Sequence, residues 1–308
     1  MNRLVAVDWG TTTLRGALLD AAGEVLEERS FARGMLSVAP NEFAAVFLSC
    51  FASWMEGSDT LCLVCGMAGS QQGWREAPYC ACPAGFDDIA RQLTWVQPGK
   101  IAIVPGLRCE NNGIPGRPGM ERIPDVLRGE ETQVFGALRL LGLDDGLFVL
   151  PGTHSKWVRA ASGVVQGFRT YMSGEFFALL TQHSILSRSL PPADTPFDGV
   201  AFDQGVAMAL HQSSLLQTAF GTRALALFDR LPAPALRSYL SGLVIGEELR
   251  AEAPIAGDGI VLIGADPLGS QYARALRHCG VDALRVGAKA SWSGLWAIAQ
   301  ALDASGRQ

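Results

Sequence analysis

The residues nearest the start of the chain that could do chemistry are a carboxylate and a glycine–threonine turn, Asp8-Trp9-Gly10-Thr11-Thr12. Apolar residues on either side predict two antiparallel strands, Leu4–Val7 and Leu14–Leu19. Backbone N–H groups and hydroxyls in such a turn can hold phosphate oxygens, and Asp8 is placed to meet the metal ion that accompanies phosphates. For a single copy, the alternative is an ordinary hairpin with a polar turn.

A second copy of this pattern begins at residue 147. The apolar run Leu147–Leu150 leads into Pro151-Gly152-Thr153-His154, and a second strand leaves from Ser155. In each copy a further glycine turn and a third strand follow, the third strands being Val25–Phe31 and Val164–Tyr171. The repeat predicts an internally duplicated protein with one phosphate-binding turn in each half.

Two glycine-rich segments follow other apolar runs and could contact a ligand. The segment Gly66–Trp74 follows the predicted strand Leu61–Cys65, and its Ser70, Gln71 and Gln72 are suited to binding hydroxyl groups. The alternative for this segment is an ordinary strand-to-helix connection. Near the end of the chain, Gly264-Ala265 closes a buried strand and would let a flat ligand approach the backbone.

An acidic cluster lies where the two halves meet. Asp125, Glu130 and Glu131 precede a predicted helix, Val134–Leu141. Carboxylates at a helix N-terminus can interact favourably with the helix dipole, and they can equally supply a general base. The residues alone leave both interpretations open. Before this cluster, the glycine- and proline-rich stretch Cys109–Arg122 predicts an extended loop, and long loops are often functional.

The composition restricts the class of protein. The 308 residues are 48 % apolar and 18 % charged, as in globular proteins, and the length suits two domains. The net charge of −5 argues against a nucleic-acid partner. No apolar run reaches transmembrane length and no secretory signal pattern is present, so we expect a cytoplasmic protein without a membrane partner. The CxxC pair Cys62 and Cys65 falls inside a predicted strand, which favours reduced core cysteines over zinc ligands.

The two glycine–threonine turns, together with the glycine-rich strand end at Gly264-Ala265, resemble the actin-like ATPase fold of sugar kinases, Hsp70 and hexokinase. The resemblance implies an α/β protein of two ribonuclease-H-like domains with a nucleotide cleft between them. We expect the domains to span residues 1–133 and 134–308, with the last helix able to pack back on the first domain. The apolar helices of the second half could cover a homodimer interface or simply the core.

Longer motifs resemble the 2-keto-3-deoxygalactonate kinase family. They are Gly66-Met67-Ala68-Gly69-Ser70, Arg128-Gly129-Glu130-Glu131-Thr132-Gln133, Gly152-Thr153-His154-Ser155-Lys156-Trp157 and Ile263-Gly264-Ala265. The resemblance implies ATP-dependent phosphorylation of the 6-hydroxyl of 2-dehydro-3-deoxy-D-galactonate in galactonate catabolism. Two alternatives stay open: a kinase for another small sugar or sugar acid, and an ATP-binding regulator without phosphotransfer. The regulator is favoured by Pro151, which stands where many members of the fold carry an acid.

The resemblance also implies roles for individual residues, with ATP and Mg²⁺ as cofactors. Asp8 is expected to contact Mg²⁺, directly or through water. Glu130 is the favoured general base, followed by Glu131 and Asp125. The expected phosphate contacts are Gly10, Thr11, Thr12, Gly152 and Thr153, with His154 and Lys156 as possible additions, and the expected adenosine contacts are Gly264 and Ala265. Lys156 could instead be a solvated lysine. The expected sugar-acid contacts are Ser70, Gln71 and Trp74, with Arg15, Arg108, Arg117 and Arg128 as equal candidates for binding the substrate carboxylate.

Overall fold

A computed structural model describes residues 2–57, 59–112, 122–212, 214–264 and 266–304. Its strands are β1 (Arg3–Trp9), β2 (Leu14–Leu19), β3 (Val25–Phe31), β4 (Thr60–Gly66), β5 (Tyr79–Ala81), β6 (Thr94–Gln97), β7 (Ile101–Ile103), β8 (Gly106–Asn112), β9 (Arg122–Leu127), β10 (Gly146–Leu150), β11 (Ser155–Ala161), β12 (Val164–Tyr171), β13 (Ile260–Ile263) and β14 (Leu284–Val286). Its α-helices are α1 (Phe43–Phe51), α2 (Phe86–Arg91), α3 (Glu130–Leu141), α4 (Ser173–His183), α5 (Gly199–His211), α6 (Leu215–Leu227), α7 (Leu236–Glu252), α8 (Leu268–Leu276) and α9 (Lys289–Ala304).

The first predicted hairpin and its third strand form one edge of a six-stranded sheet, in the order β3-β2-β1-β4-β7-β6. β1 and β2 pair antiparallel, and β1 and β4 run parallel with Asp8 beside Cys65 and Trp9 beside Gly66. The apolar residues of β1 and every residue of β4 are buried, as expected for strands covered on both faces. The carboxyl ends of β1 and β4 therefore meet at one edge of the sheet.

The second predicted hairpin is also present, in a five-stranded sheet with the order β12-β11-β10-β13-β14. A third, smaller sheet has the order β5-β8-β9. The prediction of an extended loop over Cys109–Arg122 was wrong at both ends, because Cys109–Asn112 lies in β8 and Arg122 begins β9. Residues 113–121, including Arg117, lie outside the described residues.

The predicted helix Val134–Leu141 begins four residues earlier than expected, at Glu130. Both glutamates of the acidic cluster therefore lie in the first turn of α3. α3 and α9 pack closely, since a Cβ added to Gly136 would lie 1.8 Å from the carbonyl oxygen of Ala290. A Cβ added to Gly294 would lie equally close, at 1.8 Å, to the carbonyl oxygen of Thr132. This backbone contact fixes the helix that carries the glutamates.

The described residues divide into two compact units. Unit 1 comprises those within Met1–Phe148, Val158–Arg169 and Val286–Gln308, and unit 2 those within Val149–Trp157 and Thr170–Arg285. The predicted domains, residues 1–133 and 134–308, differ from these two units, which are not continuous in the sequence. The predicted domain limits therefore stay a prediction. The seven cysteines are free thiols. None of the helices that the structure describes combines the length and the apolar character that crossing a membrane requires.

Candidate active site

Asp8 lies at the carboxyl end of β1 in unit 1, with its side chain 12 % exposed. It forms an ion pair with Arg15, its direct partner on β2. Gly66, at the end of β4, has a φ of +85°, and a Cβ added there would lie 3.2 Å from Asp8 Oδ1. A glycine at this position therefore leaves room beside a recessed carboxylate whose charge is balanced by one arginine.

The turn that follows Asp8 is held by a segment absent from the predicted site, Gly34–Leu36. The carbonyl oxygens of Gly10, Thr11 and Thr12 accept hydrogen bonds of 2.9, 3.1 and 3.0 Å from the N–H groups of this segment. A Cβ added to Gly34 would lie 2.2 Å from the Thr12 backbone. Thr11 and Thr12 are exposed. The turn therefore has a fixed backbone and accessible side chains, and no local motif signals the role of Gly34.

Glu131 is a buried carboxyl group at the start of α3. Its Oε2 accepts a 2.6 Å hydrogen bond from the N–H of Gly129, and its Oε1 has no hydrogen-bond partner within the part of the chain that the structure describes. Burial, with a smaller contribution from the charge of Glu130, raises the pKa of Glu131 from 4.5 to about 8. Gly129 has a φ of +102°, and a Cβ added there would lie 3.2 Å from Gly66 Cα.

Cys65 connects Asp8 with Glu131. This thiol is fully buried, and its pKa is raised by burial first and then by the negative charges of Asp8 and Glu131. Thr132 donates a hydrogen bond of 3.5 Å to the Cys65 sulfur. Asp8 and the first turn of α3 thus converge on the carboxyl ends of β1 and β4. The site in unit 1 therefore joins β4 and α3, whose contacting residues Cys65 and Thr132 are 67 positions apart in the sequence.

The other two candidate carboxylates have different surroundings. Glu130 is half-buried, and its Oε2 accepts a 3.0 Å hydrogen bond from the N–H of Arg128. Asp125 lies in β9, where its oxygens accept hydrogen bonds from Asn111 Nδ2 at 3.2 Å and from the N–H of Val126 at 2.8 Å. Glu130 and Glu131 are therefore adjacent in the first turn of α3, and Asp125 belongs to the three-stranded sheet.

The predicted sugar-acid loop contains one exposed and two partly packed side chains. Trp74 contacts the aromatic core, with ring centroids 5.2 Å from Phe47 and 5.9 Å from Trp9. Ser70 Oγ lies 3.3 Å from Met35 Sδ, so the loop contacts the segment that holds the first turn. Gln71 is exposed. The loop therefore contacts the segment that supports the first turn, within unit 1.

Arg15 and Arg128 differ in how they are held. Arg15 is paired with Asp8, whereas Arg128 donates a 2.8 Å hydrogen bond to the carbonyl of Ala77 and stacks 4.3 Å above the Tyr79 ring. Arg128 Nε and Nη1 are buried and have no hydrogen-bond partner among the residues described. Tyr79 did not feature in the predicted site, although it follows the Gly66–Trp74 segment closely. Arg108 is exposed on β8.

The second turn, Gly152–Thr153 in unit 2, is held by the start of α4. The N–H of Glu175 donates a 3.0 Å hydrogen bond to the Thr153 carbonyl, and a Cβ added to Gly174 would lie 2.4 Å from the Gly152 oxygen. Glu175 Oε2 lies 2.6 Å from His154 Nε2. His154 is therefore engaged with a carboxylate, a partner that the sequence did not indicate because it lies 21 residues away.

Lys156 is buried, so the alternative of a solvated lysine was wrong. It is 5 % exposed, and its Nζ lies 3.5 Å from the carbonyl oxygen of His154. β11 alternates its side chains, which places Lys156 on the opposite face from Ser155 and Trp157. A buried cation at the base of the second turn suits the binding of an anion there.

A cavity of about 670 Å³ lies in unit 2, beside the second turn. Its lining includes Gly152, Ser173, Arg237, Gln271 and Tyr272. Arg237 Nε is buried without a hydrogen-bond partner in the described part of the chain. Gly264 follows β13, and a Cβ added to it would lie 3.8 Å from Pro151 Cδ. Ala265 lies outside the described residues. The cavity has the size of a small-molecule site.

Comparison with known proteins relates the whole chain to one group of kinases. The family model for 2-keto-3-deoxy-galactonokinase matches residues 8–298. DgoK1 of Rhizobium meliloti (strain 1021), named as a probable 2-dehydro-3-deoxygalactonokinase, is 38 % identical over 304 residues that cover 96 % of both chains. The 2-dehydro-3-deoxygalactonokinase of Escherichia coli (strain K12) is 36 % identical over 303 residues, covering 97 % of this chain and 98 % of that protein.

Solved structures confirm the predicted fold class. A crystal structure of a Sinorhizobium meliloti protein assigned as a 2-dehydro-3-deoxygalactonokinase has a TM-score of 0.86, with 37 % identity over 98 % of this chain and 99 % of that one. The activator of the 2-hydroxyisocaproyl-CoA dehydratase from Clostridium difficile has a TM-score of 0.52 at 10 % identity, covering 98 % of this chain and 97 % of that one, and shows the fold alone. The protein has the α/β fold of the actin-like ATPases and sugar kinases.

Proposed function

The chain belongs to the 2-keto-3-deoxy-galactonokinase family, and from this we propose that it phosphorylates the 6-hydroxyl of 2-dehydro-3-deoxy-D-galactonate with ATP, a step of galactonate catabolism. The match of the family model over residues 8–298 carries the proposal. That range includes both turns, the glutamates of α3 and the cavity of unit 2. The products are ADP and the 6-phosphorylated sugar acid.

Phosphoryl transfer requires a positioned phosphate, balanced charge and an oriented acceptor hydroxyl. We propose that Gly10, Thr11 and Thr12 in unit 1 and Gly152 and Thr153 in unit 2 bind the ATP phosphates. Each turn is supported by hydrogen bonds to its carbonyl oxygens, which leaves threonine side chains exposed for a ligand. The buried Lys156 supplies a positive charge, and His154, oriented by Glu175, supplies a possible donor.

Asp8 fits a Mg²⁺ ion that is bound chiefly by phosphates. The described residues contain no cluster of three or more His, Cys, Asp or Glu side chains that would enclose a metal. Mg²⁺ in kinases commonly uses one or two carboxylates and keeps several waters, so a single recessed Asp8 beside the side-chain-free Gly66 is suitable. When bound, the ion would neutralise phosphate charge. Asp8 would accept hydrogen bonds from the waters around the ion, and Arg15 would orient Asp8.

We propose that the cavity of unit 2 binds the adenosine part of ATP. It is adjacent to the second phosphate turn, because Gly152 belongs to both. Its volume of about 670 Å³ accommodates a nucleoside. Gly264 would allow backbone approach near Pro151, and Ala265 is proposed with it from the motif alone.

Glu130 is our proposed general base, because a base must reach the substrate hydroxyl. Glu130 is half-buried, whereas Glu131 is fully buried and would need a rearrangement to contact a ligand. Glu131 is proposed to hold the start of α3, and Asp125 is the least favoured because its oxygens already accept hydrogen bonds within the small sheet. Glu130→Gln should lower kcat by about 10²- to 10⁴-fold. Full activity in Glu130→Gln would refute the assignment.

For the sugar acid, we propose Arg128 as the carboxylate ligand, with contacts from Ser70, Gln71 and Trp74. Arg128 is favoured over Arg15, because the charge of Arg15 is already balanced by Asp8. The guanidinium is oriented by Ala77 and Tyr79, and two of its nitrogen atoms have no partner among the described residues. Nε and Nη1 lie on different edges of the guanidinium, so we propose that the carboxylate accepts a charge-assisted hydrogen bond from one of them.

The proposed function is tested by measuring ADP release from the purified chain with ATP, Mg²⁺ and a panel of keto-deoxy sugar acids. We expect ADP release with 2-dehydro-3-deoxy-D-galactonate and a 6-phosphate product by ³¹P NMR and mass spectrometry. Asp8→Asn, which keeps the shape of the side chain, should lose most of the activity. Rapid turnover of a different sugar acid alone would refute the substrate, and no substrate-dependent ADP release would refute the kinase activity.

A homodimer through α6 is a further part of the proposal. Leu216, Phe220 and Leu227 are 82, 59 and 63 % exposed, and their spacing places them on one helix face. With the exposed Phe228 they offer about 500 Å² of apolar surface, or about 1,000 Å² in a symmetric pair, near the lower limit for a specific interface. Sedimentation should show a dimer, which Phe220→Glu dissociates and the control Ile255→Glu, at another exposed site, does not. If the wild-type protein sediments as a monomer at concentrations of about tens of micromolar, the homodimer is refuted.

A cytoplasmic location is also proposed. The seven free thiols support it, because a reducing compartment keeps cysteines unpaired. Fractionation of the source cells should recover the protein with cytoplasmic markers, and recovery with a membrane or exported fraction would refute it.

A further inference from the structure

A buried carboxylate in unit 2 has no role in the proposed chemistry. Glu248 lies on α7 and is 1 % exposed. Its Oε2 accepts hydrogen bonds from Ser155 Oγ at 3.0 Å and Trp157 Nε1 at 2.8 Å, and its Oε1 accepts one from Tyr272 Oη at 2.7 Å. The side chain of Ser173 lies close enough to the same carboxylate to lower its pKa. Among the residues that the structure describes, no cation is paired with Glu248.

The three donors and Ser173 lie on three elements, β11, α4 and α8. Ser155 and Trp157 lie at the start of β11, directly after the second phosphate turn. Ser173 begins α4, the helix whose next residues hold that turn, and Tyr272 lies on α8. Ser173 and Tyr272 both line the cavity. One carboxylate therefore joins the phosphate turn to the α8 wall of the cavity, and it lies beside Ser173 on the α4 wall.

Stability alone is a poor explanation for this arrangement. Burying a carboxylate is costly, and well-packed apolar side chains often serve a core as well or better. Burial accordingly raises the pKa of Glu248, while its polar neighbours act in the opposite direction. Donors directed at both oxygens match a carboxylate, which accepts hydrogen bonds at each of them. An acceptor of this kind restricts its donors to one geometry, which an apolar side chain cannot do.

We propose that Glu248 is a positioning residue for ATP: it holds Ser155, Trp157 and Tyr272 so that the second phosphate turn and the α8 wall of the cavity are ordered before the nucleotide binds. The inference rests on the proposed assignment of the cavity to adenosine. Without the shared acceptor, these donors lose their common geometry, and the nucleotide must order them on binding. The residues proposed for the sugar acid all lie in unit 1, so the KM of the sugar acid should not change.

The test compares three substitutions at or near this carboxylate. Glu248→Leu removes the acceptor, and Glu248→Gln keeps one acceptor oxygen and the shape of the side chain. Glu247→Gln is the matched control on the same helix, where Glu247 pairs with Arg250. For each variant we would measure the KM of ATP, the KM of the sugar acid, kcat, and the Kd of a non-hydrolysable ATP analogue by calorimetry. Circular dichroism and the Tm would establish folding.

We expect Glu248→Leu to raise the KM of ATP and the Kd of the analogue by about tenfold or more, because several donors lose their shared acceptor at once. Glu248→Gln should stay within about threefold of wild type, and Glu247→Gln should match it. If Glu248→Leu does not fold, Tyr272→Phe replaces it, with an expected increase in Kd of about three- to fivefold.

Two results would overturn the proposal: an unchanged Kd of the analogue in folded Glu248→Leu or Tyr272→Phe, or an equal rise in the KM of the sugar acid and of ATP. The calorimetric measurement does not require turnover. A wild-type protein that binds the analogue without phosphorylating the sugar acid would refute the proposed function and still allow the role of Glu248 to be tested. A wild-type protein that does not bind the analogue at all would overturn both.

Discussion

Replacing Glu131 by Gln should make the protein more stable in a pH-dependent way. Because burial raises the pKa of Glu131 from 4.5 to about 8, the folded protein keeps a proton that the unfolded chain loses between these values. Below pH 4.5 both states are protonated and the group does not affect stability. As the pH rises from 4.5 to 8 the folded state becomes progressively less favoured, and above pH 8 the cost stays constant.

The magnitude follows from the two pKa values. Each pH unit corresponds to about 1.36 kcal/mol, so the interval from 4.5 to about 8 sets a maximum cost of about 5 kcal/mol. Glutamine resembles the protonated acid and does not titrate. Its oxygen can accept the hydrogen bond that Gly129 donates to Glu131 Oε2. The free energy of unfolding of Glu131→Gln should therefore equal that of wild type near pH 4.5 and exceed it by at least about 2 kcal/mol at pH 8.

The assay is the Tm of wild type and Glu131→Gln in the same buffers from pH 5 to pH 8. We expect the difference in Tm to grow with pH and to reach several degrees at pH 8. Glu56→Gln is the control, because Glu56 is an exposed glutamate in the same unit. A difference in Tm between Glu131→Gln and wild type that is the same at pH 5 and pH 8, or that shrinks with rising pH, would refute the argument that Glu131 is protonated in the folded protein.

Three other substitutions in unit 1 test the support of the first turn, the ligand of the sugar acid and the packing of α3 on α9. Gly34→Ala places a Cβ 2.2 Å from the Thr12 backbone, so we expect the free energy of unfolding to fall by about 1 to 3 kcal/mol and the KM of ATP to rise. Gly167→Ala is the control, because a Cβ there meets no atom within 4 Å, and it should change neither quantity. Arg128→Lys removes the planar guanidinium, and steady-state kinetics should show the KM of the sugar acid rising about tenfold while the KM of ATP stays unchanged. An unchanged KM of the sugar acid would exclude Arg128 as the carboxylate ligand. Gly294→Ala places a Cβ 1.8 Å from Thr132 O and should cost about 2 kcal/mol or more in denaturant unfolding.

Features encoded by neighbouring residues were predicted correctly from the sequence. The apolar runs around Asp8–Thr12 and Gly152–Thr153 are short and regular, and each turn follows its strand directly, so both hairpins and the internal repeat could be recognised. The fold class followed from the repeat through its resemblance to the actin-like ATPases. Boundaries were less certain, because the start of α3 and the ends of β8 and β9 depend on packing as well as on local composition.

The environment of each candidate residue was decided by the tertiary structure. Burial of Lys156 and Glu131 depends on which distant segments cover them, and a one-dimensional pattern does not contain that information. The same holds for the hydrogen-bond partners of the first turn, because Gly34 donates to the Thr12 carbonyl oxygen from a segment that follows β3. Glu248 accepts from Ser155 across 93 residues. The sequence by itself determined the two glycine–threonine turns, because backbone conformation follows from adjacent residues. The tertiary structure alone decided the charge state, accessibility and support of the residues around them, because desolvation and hydrogen bonding are set by every group that surrounds a side chain.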